Sequence, residues 1–218
     1  METQLIPVIE ITYYNETEPP LYGPYWEYED DWEEYSKKRL RRAGFKDDFE
    51  SFKKGSSFFE PEKISPNNLI KLIQDWFANY DGANTDDITP FYGGYVLNVK
   101  NDNVFFPQCC GDLSDIIYWR KLAYEGQVSF HHGHPEPMAR FENTTIHFEF
   151  NESIEEFAPP TFDKLSIPKD DLKKAYDNAC KSLENFEQNI LTIFNELKID
   201  IDQKKMIDCL IYKNNENK

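Results

Sequence analysis

The sequence predicts an α+β protein, a mainly antiparallel sheet covered by helices, with a long-helix hairpin at its C-terminus. Three observations carry this. Short segments of alternating apolar residues, such as Tyr95, Leu97 and Val99, are joined by connections too brief for parallel crossovers. Other segments carry apolar residues at helical spacing, as in Leu69, Ile70, Ile73, Trp76, Phe77 and Tyr80. From Pro168 onward, Leu172, Tyr176, Ala179, Leu183, Phe186, Ile190, Ile193 and Leu197 alternate at four and three, a heptad seam. The expected division is an α+β domain over 1–164 and a helical segment with a frayed tail over 165–218. Pro159, Pro160 and Pro168 mark a linker between them over 152–168.

In chain order, the β-branched run at 5–14 predicts a strand, closed by Asn15 to Pro20. A helix over 29–43 follows, with Glu33–Lys37 and Glu34–Lys38 in the favourable order for i,i+4 pairing. The basic run Lys37 to Arg42 then reads as a solvated helix face. Ser65 as N-cap and Pro66 in the first turn open a helix over 66–80, which Asp81–Gly82 ends. Residues 92–99 and 103–106 form a hairpin about Asn101–Asp102–Asn103, with Gly93–Gly94 suited to a bulge or a close backbone approach. Pro107 stops the second strand, and Asp112 or Ser114 caps a helix over 113–124 that Gly126 closes. Strands are expected at 128–132, 138–142 and 144–150. A shorter helix bearing Met206, Ile207, Leu210 and Ile211 is placed to fold back on the heptad helix. The seam at Leu183, Phe186 and Ile190 then suits either that intramolecular hairpin or a homodimer through the 172–197 helix.

The segments LIPVIEI (Leu5 to Ile11), GGYVL (Gly93 to Leu97) and PQCCGDLSD (Pro107 to Asp115) resemble an uncharacterised bacterial protein family. The likeness extends to Gly55 to Phe58 and Gly133 to Pro135, and so spans most of residues 4–150. It implies no reaction, ligand or partner, so the chemistry has to come from the residues.

A formal charge of −16, from 40 acidic against 24 basic residues, opposes sequence-independent binding to nucleic acid or an anionic membrane and favours a basic protein partner. Cysteines at 109, 110, 180 and 209 have no framework spacing, and no apolar run reaches membrane-span length. Met1 to Gln4 also lacks the pattern of a signal peptide, so the cytoplasm is the expected location. Aromatic content of 16% leaves rings for recognition patches at the surface.

The expected function is accordingly a cytoplasmic, acidic protein-binding module of the kind immunity proteins exemplify, capturing a basic partner. Its candidate face is Tyr25, Trp26, Glu27, Tyr28, Asp30, Asp31 and Trp32, where ring anchors interleave with carboxylates. The alternative is a metal- or thiol-dependent hydrolase. There Cys109 and Cys110, at a strand-to-helix junction, would work with His132 and His134, on one face of a strand. Asp112 or Asp115 would orient the histidine; as helix N-terminal charges they also complement the dipole without any catalytic role. With no CxxC or HExxH spacing and no carboxylates paired across a cleft, no catalytic residue is assigned and no cofactor is expected.

Overall fold

Strand β1 (Thr3–Glu10) contains a proline, which a central strand does not normally tolerate. The computed structural model, which describes residues 2–78, 88–151, 154–198 and 202–212, shows why it does here. The Glu10 N–H donates to the Tyr92 carbonyl at 2.7 Å, so even-numbered residues of β1 hold the hydrogen-bonded positions opposite β3 (Gly93–Val99). Pro7 therefore faces the other edge, where β2 (Phe58–Phe59) pairs only with Ile9 and Glu10, and its missing N–H breaks no ladder bond. With β4 (Asp102–Phe105) the sheet order is β2-β1-β3-β4, all antiparallel. The β3–β4 turn falls at Lys100 and Asn101, both with positive φ as a two-residue hairpin turn requires.

The β1–β3 contact is unusually close. A Cβ on Gly93 would stand 2.2 Å from the Val8 carbonyl oxygen, so the first of the paired glycines meets a packing requirement. Every residue of β3 is buried. Tyr95, Leu97 and Val99 face the main core, while Val96 joins Val8, Phe58 and Phe106 in a small second core on the opposite face.

Helix α1 (Glu29–Arg42) forms where expected, and α2 (Pro66–Trp76) starts where expected, capped by Ser65, whose Oγ accepts from Asn68 N–H at 3.3 Å, but ends at the Phe77 cap rather than reaching residue 80. The Asp81–Gly82 stop signal lies outside the described residues. Asp112 caps a composite helical run: a single 3-10 turn at Leu113–Asp115, α3 (Ile116–Arg120), and a π-type turn over Lys121–Glu125. Gly126, in the left-handed region, ends it.

A second antiparallel sheet comprises β5 (Met138–Glu142), β6 (Thr145–Glu149) and β7 (Lys164–Pro168). Two expectations are corrected here. Residues 128–132 form no strand: at its end Asp115 accepts from the His132 N–H, and the neighbouring Gly133 carbonyl accepts from the His131 ring, so side chains rather than a ladder hold this segment. The expected linker over 152–168 holds a strand instead. Leu165 and Ile167 alternate with Lys164 and Ser166, and Pro168, the last residue of that strand, immediately precedes the next helix.

That helix, α4 (Lys169–Glu196), packs along β1. Ala175 and Phe194 are buried beside the heptad positions, which widens the stripe from a coiled-coil seam to a face suited to a globular body. Leu183, Phe186 and Ile190 are fully buried within the chain, so the seam proposed for a homodimer is already filled. The boundary expected at 164/165 falls within this shared core, since Leu172 to Phe194 belong to the same cluster as Leu5 and Tyr95. Helix α5 (Gln203–Ile207) and its π-type continuation to Tyr212 fold back on α4, with the Tyr212 hydroxyl donating to Glu187 at 2.6 Å. Leu210 also accepts from the Phe91 N–H at 2.8 Å, tying the C-terminal hairpin to the entrance of β3. No helix among the described residues is long and apolar enough to cross a membrane.

Candidate functional site

Between β1 and α1 the chain makes a long excursion that Pro19, Pro20 and Pro24 keep out of regular structure. Trp32 anchors it by donating Nε1–H to the Gly23 carbonyl at 3.0 Å, and Tyr22 lies over Tyr28 with ring centroids 5.7 Å apart. The result is a groove of about 330 Å³ between the 17–22 loop and α1, with Leu21, Tyr22 and Tyr35 as its apolar walls and Glu18, Asp31 and Glu34 as carboxylates. Leu21 is 92% and Tyr22 60% exposed, and Tyr14, on the same excursion, is fully exposed.

Basic side chains near this face are largely engaged. Arg39 donates to the Ile11 carbonyl at 3.3 Å and covers the Tyr35 ring, Arg42 donates to Thr17 at 3.2 Å, and Lys38 pairs with Glu34 at 2.5 Å. Three carboxylates therefore line the groove against one ammonium.

The seven residues expected to form the partner face divide into two sets. Glu27, Tyr28, Asp30 and Asp31 are exposed, with Asp30 paired to Lys54. Tyr25, Trp26 and Trp32 are half-buried and hold the excursion in place, Tyr25 edge-on to Trp26 and Trp32 edge-on to Tyr35. Burial pushes the Tyr25 hydroxyl well above its ordinary pKa, and the carboxylates of Glu10 and Glu29 add to this, so it stays neutral. Leu21, Tyr22, Glu34 and Tyr35 were not anticipated. The Pro19–Pro20 pair was the available signal, since two prolines followed by apolar residues present those residues away from the body.

The cysteines and histidines meet at a different place. The Gly111 N–H closes a turn on the Gln108 carbonyl at 3.0 Å, with Cys109 and Cys110 at its tip and their sulfurs 3.4 Å apart. His134 N–H donates to the Cys109 carbonyl at 2.9 Å, which brings its ring to the thiols: ligand atoms of Cys109, Cys110 and His134 all lie within 4.8 Å of one another. All three residues are exposed. Glu155, which sequence reasoning missed, lies 3.0 Å from His134 Nδ1. The Glu155 carboxylate and the Cys110 thiol hold the His134 pKa above its ordinary value. The Cys110 pKa is lowered by Cys109 and then by His134, while Cys109 is raised, chiefly by Cys110.

His132 does not join them. It is held by buried Asp115, whose Oδ1 accepts from the His132 backbone N–H at 2.7 Å and lies 2.9 Å from its Nδ1. His131 packs beneath, with Nδ1–H donating to the Gly133 carbonyl at 2.7 Å and Nε2 3.6 Å from Asp115 Oδ2. Burial raises the Asp115 pKa, but bonding to His132 and the proximity of His131 outweigh it and leave the carboxyl below the usual range. Asp112 goes the other way: burial lifts it, and its bonds to Ser114 only partly compensate. Neither aspartate orients His134.

No protein-family model matches this chain, and comparisons with curated proteins and with solved structures found no match. The functional reading therefore rests on the geometry. Thiol and imidazole chemistry is available at Cys110 and His134, but an acyl-transfer enzyme needs a concave, water-excluding wall around its nucleophile, and these groups stand in solvent.

Proposed function

We propose that the protein is an acidic protein-binding module whose 17–28 excursion and first two turns of α1 capture a basic partner, in the way immunity proteins capture basic toxins. The observation that carries this reading is the groove in which exposed Leu21 and Tyr22 sit beside Glu18 and Asp31. Apolar anchors that lose their water on binding supply affinity, and the surrounding carboxylates speed encounter with a cation-rich surface and set its orientation. The net charge of −16 extends the same field over the whole molecule. The hydrolase alternative keeps Cys109, Cys110 and His134 but not His132 at its centre, and binding is what the surface geometry favours.

The test is affinity capture from the native cell with three baits: wild type, Leu21→Ala with Tyr22→Ala, and Glu18→Lys with Asp31→Lys. A fourth bait, Glu142→Lys with Glu149→Lys in the second sheet, controls for total charge. The expected result is a stoichiometric basic protein held by wild type and by the control. The groove variants should lose it, by at least about 30-fold in affinity for the Leu21–Tyr22 pair, and salt should weaken it. A partner retained equally by all four baits, or the absence of any stoichiometric partner, overturns the proposal.

A further inference from the structure

The thiol and imidazole cluster lies apart from the groove and stands independently of the binding reading. Its construction has three features that a chance meeting of side chains would not need.

The first is the backbone at Cys110, whose φ of +66° lies in the left-handed region that favours glycine. In an extended strand neighbouring side chains point to opposite faces, and the turn at 108–111 abolishes that alternation, so both thiols project together. Glycine would hold this turn with less strain, and a cysteine stands there instead.

The second is the bracing of the three segments that meet there. The Gln108 side chain donates to the Ala158 carbonyl at 3.0 Å and accepts from the Ala158 N–H at 3.1 Å, which fastens the 155–158 segment to the cysteine turn. Gln108 also donates to the Phe106 carbonyl at 2.7 Å. The 131–134 segment is held from below by Asp115 and by His131. The cluster is thus assembled by hydrogen bonds that do not themselves involve the thiols.

The third is the histidine. Glu155 accepts from His134 Nδ1–H, which leaves Nε2 as the nitrogen with a lone pair. A carboxylate on one ring nitrogen with the other turned to a metal is the usual arrangement at zinc. Tetrahedral zinc with metal–sulfur bonds of about 2.3 Å sets its sulfurs about 3.8 Å apart. The 3.4 Å between Cys109 and Cys110 needs only a small adjustment to reach that spacing.

We propose that Cys109, Cys110 and His134 form a zinc site, with two thiolates and His134 Nε2 as ligands, Glu155 holding the ring, and the fourth position open to solvent. Binding one Zn²⁺ releases the two thiol protons, so affinity rises with pH. Thiolate ligands and a four-coordinate preference exclude magnesium and calcium as the native ion.

The experiment uses the full chain, reduced with a phosphine and stripped of metal, titrated with Co²⁺ and then with Zn²⁺ against a chromogenic chelator. One equivalent of cobalt is expected to give a thiolate-to-cobalt charge-transfer band with tetrahedral d–d absorption, both erased by one equivalent of zinc. Cys110→Ser and His134→Ala should each weaken zinc binding by at least about 100-fold, and Glu155→Gln by about 10-fold or more. Cys180→Ser, on α4, should change nothing. The ligands are exposed, so the variants should keep the wild-type far-ultraviolet circular dichroism. Cobalt bound without the charge-transfer band, no stoichiometric zinc, or equal zinc affinity in Cys110→Ser and wild type overturns the site.

Discussion

Asp112 and Asp115 are separated by a single helical turn, and both are buried, yet they should respond to neutralisation in opposite senses. Asp115, with its side chain 2% exposed, accepts from the His132 N–H and faces the rings of both His131 and His132. Asparagine at 115 keeps one acceptor but removes the charge and points an amide donor at one of those partners. Hydrogen bonds to a buried charged group contribute about 1.5–3 kcal/mol each. Losing the charge while retaining part of the bonding should cost about 2–4 kcal/mol, or about 5–15 °C in a chain of this size. Asp112 bonds to the backbone N–H and hydroxyl of Ser114 at 2.8 and 2.5 Å, which the amide oxygen of asparagine can reproduce. Burial disfavours its charge, so Asp112→Asn should lie between neutral and about 1 kcal/mol stabilising at pH 7. The pH dependence follows the same division. The folded-state pKa of Asp115 is lowered, so its contribution is complete above the unfolded value of about 4 and is lost as pH falls through the folded value. That of Asp112 is raised, so it costs stability above its folded value, and the cost vanishes as pH falls toward the unfolded value. Differential scanning calorimetry of the wild type and both variants from pH 3 to pH 7 measures this. The gap between wild type and Asp115→Asn should hold its full width from pH 7 down to about pH 4 and begin to narrow only below that. Asp115→Asn melting within about 2 °C of wild type at pH 7, or below it by less than Asp112→Asn, would refute the assignment.

Gly93→Ala should be severely destabilising, by about 3 kcal/mol or more, because the new Cβ would stand 2.2 Å from the Val8 carbonyl at a φ of +128°. A urea midpoint close to that of wild type would show that β1 and β3 are not so tightly apposed. Phe186→Ala, in a fully buried position on α4, should cost about 3–5 kcal/mol without changing the mass measured by light scattering. A change from dimer to monomer in that variant would mean that the α4 seam joins two chains. Cys110→Gly should be tolerated or stabilising by up to about 1 kcal/mol, since glycine relieves the strain at φ +66°. A clear loss of stability in a denaturant titration would mean that the thiol is retained for packing.

Elements governed by neighbours within a few residues could be read directly from the chain. The Ser65–Pro66 start of α2, the Asp112 cap, the Gly126 stop and the alternation in β5 and β6 depend on capping, backbone freedom and side-chain period. The apolar stripe of α4 was equally legible. Which surface would cover it was not, because a heptad seam looks the same whether β1 or a second copy packs against it. Strand β7 was obscured by the prolines around it, and its pairing with β6 is a contact no local pattern announces. The functional clusters depended on tertiary structure most of all. Cys109 and Cys110 lie beside His134 because a backbone bond from the His134 N–H to the Cys109 carbonyl joins the 108–111 turn to the 131–134 segment, and Glu155 arrives through Gln108 and Ala158. His132, two residues before His134, is drawn away by a buried aspartate from another element. Sequence spacing predicts the direction of a side chain only while the backbone keeps a regular period. In irregular segments such as this one, hydrogen bonds between residues distant in sequence decide the direction, and these exist only once the chain has folded.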